Sequence, residues 1–334
     1  MGAEAKGRVV SSRIEKLTLK HNLIRCVVFV VLGLGFNDTL AQSKGNPIAL
    51  VPPNAVAVAK INWTVVRQDY RFKAMLNADQ LDKALAQLKI DGSDVSEIVF
   101  FTGINGSPTG LLAGIFRGTY SVPAVTAQLE SQGFTEHLYK GRTIYIDQGD
   151  KSCSSILRSG MLVVGSQKGV QGVIDVELNP RLSQTSKRPF TTLLSRFTTS
   201  RRPISFMMTL PLEYQTVADV GVKVVSAVFS LSGLGPLSFV IDKIGFPHAM
   251  GFTMAHRGAT YPAELVAQMK DATSAALISG TLNVTQAIGL NMPPDRMSPS
   301  DREMLKNISV ARTGALLSIK LVLREQDLPQ PTRR

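Results

Sequence analysis

Cysteine and histidine are scarce in this chain, which has two Cys and four His among 334 residues. Two cysteines are too few for a disulfide framework, and so few histidines do not make a Cys/His metal cluster. Tryptophan occurs once and aromatic residues make up 6% of the sequence, so few rings are present on which bases can stack. These shortages exclude a disulfide-rich scaffold and disfavour nucleic-acid binding.

The overall composition is that of an ordinary folded protein. Apolar residues make up 44% of the chain and charged residues 19%, which excludes general disorder. The length allows two domains, or one domain built twice. The net charge is +12, and a positive balance favours anionic partners such as acidic envelope polymers or lipid headgroups.

The N-terminal region has the pattern of an export signal. Basic residues precede an apolar run of 11 residues, Cys26–Phe36, and the small residues Thr39 and Ala41 occupy the −3 and −1 positions of a cut after Ala41. The run is shorter than the roughly 20 apolar residues of a membrane span. We therefore expect residues 1–41 to be a signal peptide and the protein to be periplasmic or secreted. An uncleaved N-terminal membrane anchor is the alternative.

Removal of this segment leaves 31 basic and 22 acidic residues and a net charge of +9. Cys153 is then the only cysteine, so an intramolecular disulfide is excluded and the fold depends on its core. Cys153 lies in the polar segment Asp150–Ser155, which predicts a loop. A thiol beside Lys151 is a candidate reactive group, although a lone cysteine without a neighbouring histidine is a weak one.

Two short segments recur in the same order along the chain. Arg117-Gly118 and Arg257-Gly258 are each followed, ten residues after the arginine, by Ala-Gln and an apolar residue. We interpret both as a strand that enters a turn and is followed by a helix. Downstream, the five residues that begin at Arg158 match the five that begin at Arg312, and both predict a hairpin turn.

These echoes predict one architecture written twice, an α+β fold with two diverged copies of an antiparallel sheet and helices packed on one face. The first repeat is expected at 48–179 and the second at 204–325, followed by a C-terminal tail at 326–334. Apolar spacing predicts three of the helices, Asp79–Leu88, Val125–Ser131 and Leu265–Ala276. Period-two patterns and turns predict strands that include Ala55–Ile61, Glu97–Phe101, Leu111–Phe116, Phe134–Tyr139, Thr143–Ile146, Ser205–Leu210 and Ala249–Met254.

A basic segment, 180–203, separates the predicted repeats. It carries six Lys or Arg residues and no acidic residue. Such a run is typical of a solvated linker, which is our interpretation. The alternative is an anion-binding or membrane-surface patch, for which Arg201 and Arg202 are the candidate contacts.

A stretch of 18 uncharged residues, 224–241, is the candidate ligand site. The simplest interpretation is structural, a helix pair packed on the second sheet. The glycines and proline at its middle disfavour a membrane span. The functional interpretation is an apolar lid over a lipid-sized groove, or a docking face for another subunit. The side chains expected to contact such a ligand are Val224, Val228, Leu231 and Phe239.

Two runs resemble a group of known proteins. The opening Ile48-Ala-Leu-Val-Pro-Pro-Asn-Ala-Val-Ala-Val-Ala-Lys-Ile-Asn62 is similar to the start of uncharacterised exported bacterial proteins with tandem α+β repeats. The runs Tyr139–Tyr145 and Leu162–Gly169 resemble theirs as well. The resemblance implies the fold for most of 48–325 and brings no established activity, cofactor or site residue.

Motifs of catalysis are missing from the sequence. It has no Gly-x-Ser-x-Gly elbow, no Ser-x-x-Lys pair and no His or Cys pair at metal-binding spacing. His137 is expected on a hairpin surface, and His248 and His256 are expected eight residues apart on one extended strand, too far apart to bind one metal ion. We therefore predict no cofactor and no enzymatic activity. The expected function is that of an exported envelope protein that acts through protein contacts, and the alternative is a carrier or sensor of an apolar or anionic ligand such as a lipid.

Overall fold

A computed structural model describes most of the chain between residues 45 and 324. The described residues are 45–76, 78–103, 110–149, 151–183, 193, 203–209, 247–269, 271–293 and 297–324.

The described strands form one antiparallel sheet of twelve strands. Their bounds are β1 Ala57–Asn62, β2 Val95–Thr102, β3 Leu112–Gly118, β4 Phe134–Tyr139, β5 Arg142–Asp147, β6 Ser152–Ile156, β7 Leu162–Ser166, β8 Ile204–Thr209, β9 Ala249–Met254, β10 Thr260–Gln268, β11 Ile308–Thr313 and β12 Leu316–Arg324. The expected α+β class with an antiparallel sheet is confirmed.

Seven α-helices connect or cover these strands in the described residues. Their bounds are α1 Trp63–Gln68, α2 Tyr70–Met75, α3 Ala78–Ala86, α4 Val122–Ser131, α5 Gln167–Leu178, α6 Ala272–Leu290 and α7 Pro299–Lys306. The apolar stripe predicted for α3 is buried, because Leu81, Ala84 and Leu85 all face the core.

The two predicted repeats meet at the middle of the sheet, where β1 pairs with β8. Across the sheet the strands lie in the order β11-β12-β10-β9-β8-β1-β2-β3-β7-β6-β5-β4. From the central pair outward, each half therefore has two further strands of a meander and then a hairpin, with the β4–β5 hairpin added beyond β6. The duplication itself stays a prediction.

Helices lie on both faces of the sheet. The first face carries α1 to α4 with α6 and α7, and its largest cluster is built around Trp63, Phe72 and Phe100. The second face carries α5, whose Val170 and Ile174 pack with Val163 of β7. The expected placement of every helix on one face does not hold for α5, because β3 and β7 are apolar on both sides.

The predicted helix Leu265–Ala276 is wrong over its first half. Residues up to Gln268 belong to strand β10, which pairs with β9 and β12. In this strand Tyr261, Ala263, Leu265 and Ala267 alternate with residues that face the other side, the period of a strand. The helix begins only at Ala272.

Only one of the two recurring sequence segments lies at equivalent places in the two halves of the fold. Arg117-Gly118 ends β3 ahead of α4, whereas Arg257-Gly258 forms the turn between β9 and β10, so the first echo marks two unrelated places. The second echo marks two equivalent places, the turns of the β6–β7 and β11–β12 hairpins. Gly160 and Gly314 have φ of 81° and 60° there, which glycine adopts without strain.

Glycine allows a close approach to β3 at two points, Gly165 in β7 and Gly169 in the first turn of α5. A Cβ atom on Gly165 or on Gly169 would lie 2.3 Å from the backbone oxygen of Leu112. The Ser166 hydroxyl fixes the same junction, because it accepts from the N–H of Gly169 at 3.0 Å and from that of Leu112 at 3.2 Å. The helix start, its cap and the strand are therefore held together over a few ångströms.

Candidate functional site

The ligand contacts predicted from sequence belong to segments outside the described part of the chain. Arg201 and Arg202, the apolar residues Val224, Val228, Leu231 and Phe239, and the signal cleavage position after Ala41 all lie outside the described residues. Most of the predicted basic linker lies outside them as well. These assignments stay predictions.

Cys153 is not in a loop, as its polar neighbours predicted, but inside strand β6 and fully buried. Its side chain packs in the cluster under α5, between β5 and β7. Burial raises the pKa of the thiol to about 12, because the thiolate would lose its hydration there. The structure thus makes Cys153 a packing residue and a poor nucleophile.

We expect Cys153 to react with a thiol reagent many-fold more slowly in the native protein than in urea. Between the ordinary thiol pKa of 9.0 and about 12, the unfolded chain loses the proton and the folded chain keeps it. The contribution of this group to stability therefore falls as pH rises through that window. Rapid stoichiometric labelling of Cys153 in the folded Cys26→Ser protein would contradict the assignment.

Two of the three described histidines, His137 and His248, lie far apart in the fold. His137 is exposed on β4, where its Nε2 lies 3.2 Å from the Thr135 hydroxyl, and His248 precedes β9. The position of His137 agrees with its prediction, whereas His248 and His256 flank β9 instead of lying on it. Among the described residues, no three His, Cys, Asp or Glu side chains come together as a metal site.

His256 forms a pair with a carboxylate that sequence reasoning did not foresee. Its Nδ1 lies 2.7 Å from Oδ2 of the buried Asp69, and its Nε2 faces the backbone oxygen of Gly258. The ring stacks on Tyr261 with the centroids 4.6 Å apart. The pair joins the β9–β10 turn to the start of α2.

Helix α6 is the most unusual element of the described chain. It runs for 19 residues without a charged side chain, and apolar residues occur all round it. Asp271 caps its first turn by accepting from the N–H of Ser274 at 2.7 Å. Surface helices normally carry charged side chains on their outer side, so the uncharged α6 on the surface needs an explanation.

The inner side of α6 is held firmly on the protein. Ala275 and Leu282 pack against β10 and β12, and a Cβ on Gly289 would lie 2.6 Å from a methyl group of Leu305 in α7. The Gln286 amide donates to the backbone oxygens of Leu305 and Ile308 at 2.7 and 2.9 Å. These contacts fix which side of the helix faces solvent.

The outer side of α6 is apolar and exposed. Leu277 is 72% exposed, Val284 59% and Ile288 57%. Gly280 and Ala287 lie between them on the same side and are exposed as well, and so is Thr281, whose hydroxyl donates to the backbone oxygen of Leu277 at 2.9 Å. We call Leu277, Gly280, Val284, Ala287 and Ile288 the outer strip of α6. Contiguous exposed apolar side chains of this kind mark interaction surfaces in soluble proteins.

Gly280 stands at the middle of the outer strip with open space beside it. A Cβ atom placed there would have no neighbour within 4 Å. Its backbone is helical, so neither internal packing nor a left-handed conformation accounts for a glycine, which costs about 1 kcal/mol relative to alanine inside a helix. Close approach of a group from outside the described chain would account for it.

Charged side chains flank both ends of α6. Asp271 caps the N-terminal end, where the Arg312 guanidinium also donates to the backbone oxygen of Ala272 at 3.1 Å. At the C-terminal end, the Arg302 guanidinium from α7 donates to the backbone oxygen of Met292. The helix therefore offers a partner an uncharged centre with charges at its ends.

Sequence reasoning missed this surface. The predicted helix in this region overlapped only the first turn of α6, and the outer strip contains none of the predicted site residues. The signal was the capping residue Asp271 followed by 19 residues without charge or proline. Within the described residues, every helix is too short or insufficiently apolar to traverse a bilayer.

Comparison with known proteins gives structural matches alone. No family model and no curated protein matches the chain. Crystal forms I and III of TP0453 match with TM-scores of 0.48 and 0.46, each at 14% identity. The form I match covers 86% of this chain and 96% of TP0453, and the form III match covers 84% and 95%. Crystal form IV matches at 13% identity with a TM-score of 0.43.

Proposed function

We propose that the protein is a non-catalytic, exported envelope module that acts through protein contacts made by the outer strip of α6. The observation that carries this proposal is the exposure of Leu277, Val284 and Ile288 on a helix without charges. Export is supported by the signal-like pattern of residues 16–41.

The composition of α6 favours a protein partner over a membrane surface. Helices that lie in the membrane interface carry Lys and Arg on their polar side, where they meet anionic headgroups. Between Ala272 and Leu290 there is no Lys or Arg, and the inner side is already bound to the sheet and to α7. An uncharged strip that is rigidly held fits a complementary apolar surface of a folded protein.

Site-specific photo-crosslinking in the cells that make the protein tests this function. A benzophenone amino acid replaces Leu277 or Val284 in separate variants, and a third variant carries it at Leu138. Leu138 is the matched control, because it is 78% exposed but lies on the edge strand β4, away from α6. The adducts are separated by mass after irradiation.

We expect protein-sized adducts from positions 277 and 284 and few from position 138. Such a result places a protein within reach of the outer strip. Lipid-sized adducts alone, or equal yields from all three positions, would contradict the proposed function.

A further inference from the structure

The spacing along the outer strip is that of a helix–helix seam. Leu277, Gly280, Val284 and Ala287 follow one another at intervals of three, four and three residues. Alternating intervals of three and four are the a and d positions of a heptad, which keep one side of a helix against a partner helix. Large side chains occupy one of the two positions and small ones the other.

We propose that the occupant of the outer strip is α6 of a second copy of this chain, packed antiparallel about a twofold axis at the level of Leu282. The inference rests on the proposed function, because it names the partner of the same surface. Leu282 lies near the middle of the helix, so the two helices overlap along most of their length of about 28 Å.

In this arrangement each layer of the seam combines a large side chain with a small one. Leu277 lies against the partner's Ala287, and Val284 against the partner's Gly280. Alternation of large and small residues across facing positions lets two surfaces interdigitate without voids. Gly280 then has a role, because the partner's valine fills the space beside it.

Charge also favours a second copy in antiparallel orientation. The chain is strongly positive, so self-association is disfavoured except where a surface lacks charge, as α6 does. The antiparallel pair brings the N-terminal end, with Asp271 and Arg312, near the C-terminal end of the partner helix, where Arg302 lies, so Asp271 offsets one of two positive charges there. A parallel pair would bring Asp271 beside its own copy and would align the two helix dipoles unfavourably.

The length of the contact indicates a weak dimer. One helix of 19 residues on each side lies at the small end of specific interfaces, and α7 and the β11–β12 turn add flanking area. We therefore expect association in the micromolar range. An isologous contact of this kind closes on itself and stops at two copies.

Disulfide trapping tests the pair and its orientation. Two variants of the full chain, Leu277→Cys and Ala287→Cys, are prepared with Cys26→Ser, and the buried Cys153 is retained. In the antiparallel pair, equal positions on the two helices lie about 15 Å apart along the axis, whereas position 277 faces position 287. Each variant is oxidised alone and as an equal mixture at micromolar concentration.

We expect a cross-linked dimer from the mixture and little from either variant alone. Gly280→Leu, added to both variants, fills the seam and is expected to lower the dimer yield at least tenfold. Strong cross-linking of each variant with itself would overturn the antiparallel arrangement. The absence of a dimer in all samples would overturn the pair.

The photo-crosslinking experiment separates failure of the pair from failure of the proposed function. Adducts at position 277 with twice the mass of the chain agree with the pair. Adducts with a different protein overturn the pair and leave the proposed function intact. An adduct of the strip with its own chain, or the absence of any protein adduct, overturns both.

Discussion

Gly169→Ala is expected to lower the free energy of unfolding by about 3 kcal/mol. The new Cβ would lie 2.3 Å from the backbone oxygen of Leu112 and 2.8 Å from its carbonyl carbon. These are backbone atoms of β3, which is paired on both sides, so the strand cannot move away cheaply. Helix α5 must therefore shift, and its packing on the second face of the sheet is lost in part.

Urea unfolding followed by tryptophan fluorescence measures this effect. Trp63 is the only tryptophan and is fully buried, so its emission reports on the loss of the core. Gly280→Ala is the matched control, because it makes the same change in a helix with open space beside it. In dilute solution, the free energy of unfolding of this control is expected to rise by roughly 0.5–1 kcal/mol. Equal effects of both changes would show that α5 does not approach β3 as described.

Asp69→Ala is expected to lower the free energy of unfolding by a similar amount, about 3 kcal/mol. Asp69 Oδ1 accepts from the N–H groups of Arg71 and Phe72 at 2.9 and 3.4 Å, and thereby caps α2. The other carboxylate oxygen lies 2.7 Å from Nδ1 of His256. Alanine removes both interactions and leaves the helix start without its acceptor.

A double-mutant cycle separates the two roles of this carboxylate. Asp69→Asn keeps a capping oxygen and removes the charge. We therefore expect it to lower the free energy of unfolding less than Asp69→Ala does. Combined with His256→Gln, it should show a coupling of about 1 kcal/mol in the same fluorescence assay, because the two side chains are in contact. Additive effects would mean that the pair does not join the β9–β10 turn to α2.

Local features of the fold were predictable because they depend on short patterns. Strand β9 was predicted with its observed bounds, and the turns at Gly160 and Gly314 were recognised from glycine in a hairpin context. The order of the strands was not predictable in this way. The central pairing of β1 with β8 joins segments separated by more than 140 residues, and no short pattern encodes it.

The error at Cys153 also has a local cause. Serines surround it in the sequence and favoured a loop, but Ser154 and Ser155 are buried together with it in β6. The Ser155 hydroxyl donates to the Thr143 backbone oxygen at 2.7 Å, which offsets the cost of its burial, whereas the buried Ser154 hydroxyl has no hydrogen-bond partner in the described part of the chain. Polarity alone therefore did not predict exposure at this strand.

The candidate surface on α6 was missed for a different reason. A helix that is apolar all round has no alternation between polar and apolar sides, and amphipathic periodicity is the signal by which surface helices are recognised. Only the inner contacts of Leu282, Gln286 and Gly289 show which side remains exposed. The heptad spacing of Leu277 and Val284 becomes informative once that side is known.

Native mass spectrometry of the gently purified protein tests the central claim most directly. The comparison is between the unaltered chain and a Leu277→Ser, Val284→Ser variant whose fold is checked by the emission of Trp63. The account predicts a protein complex, a dimer of the chain in the first instance, that the variant loses. A single chain in both samples that carries a solvent-extractable mass of lipid size would contradict it and would make the protein a lipid carrier instead.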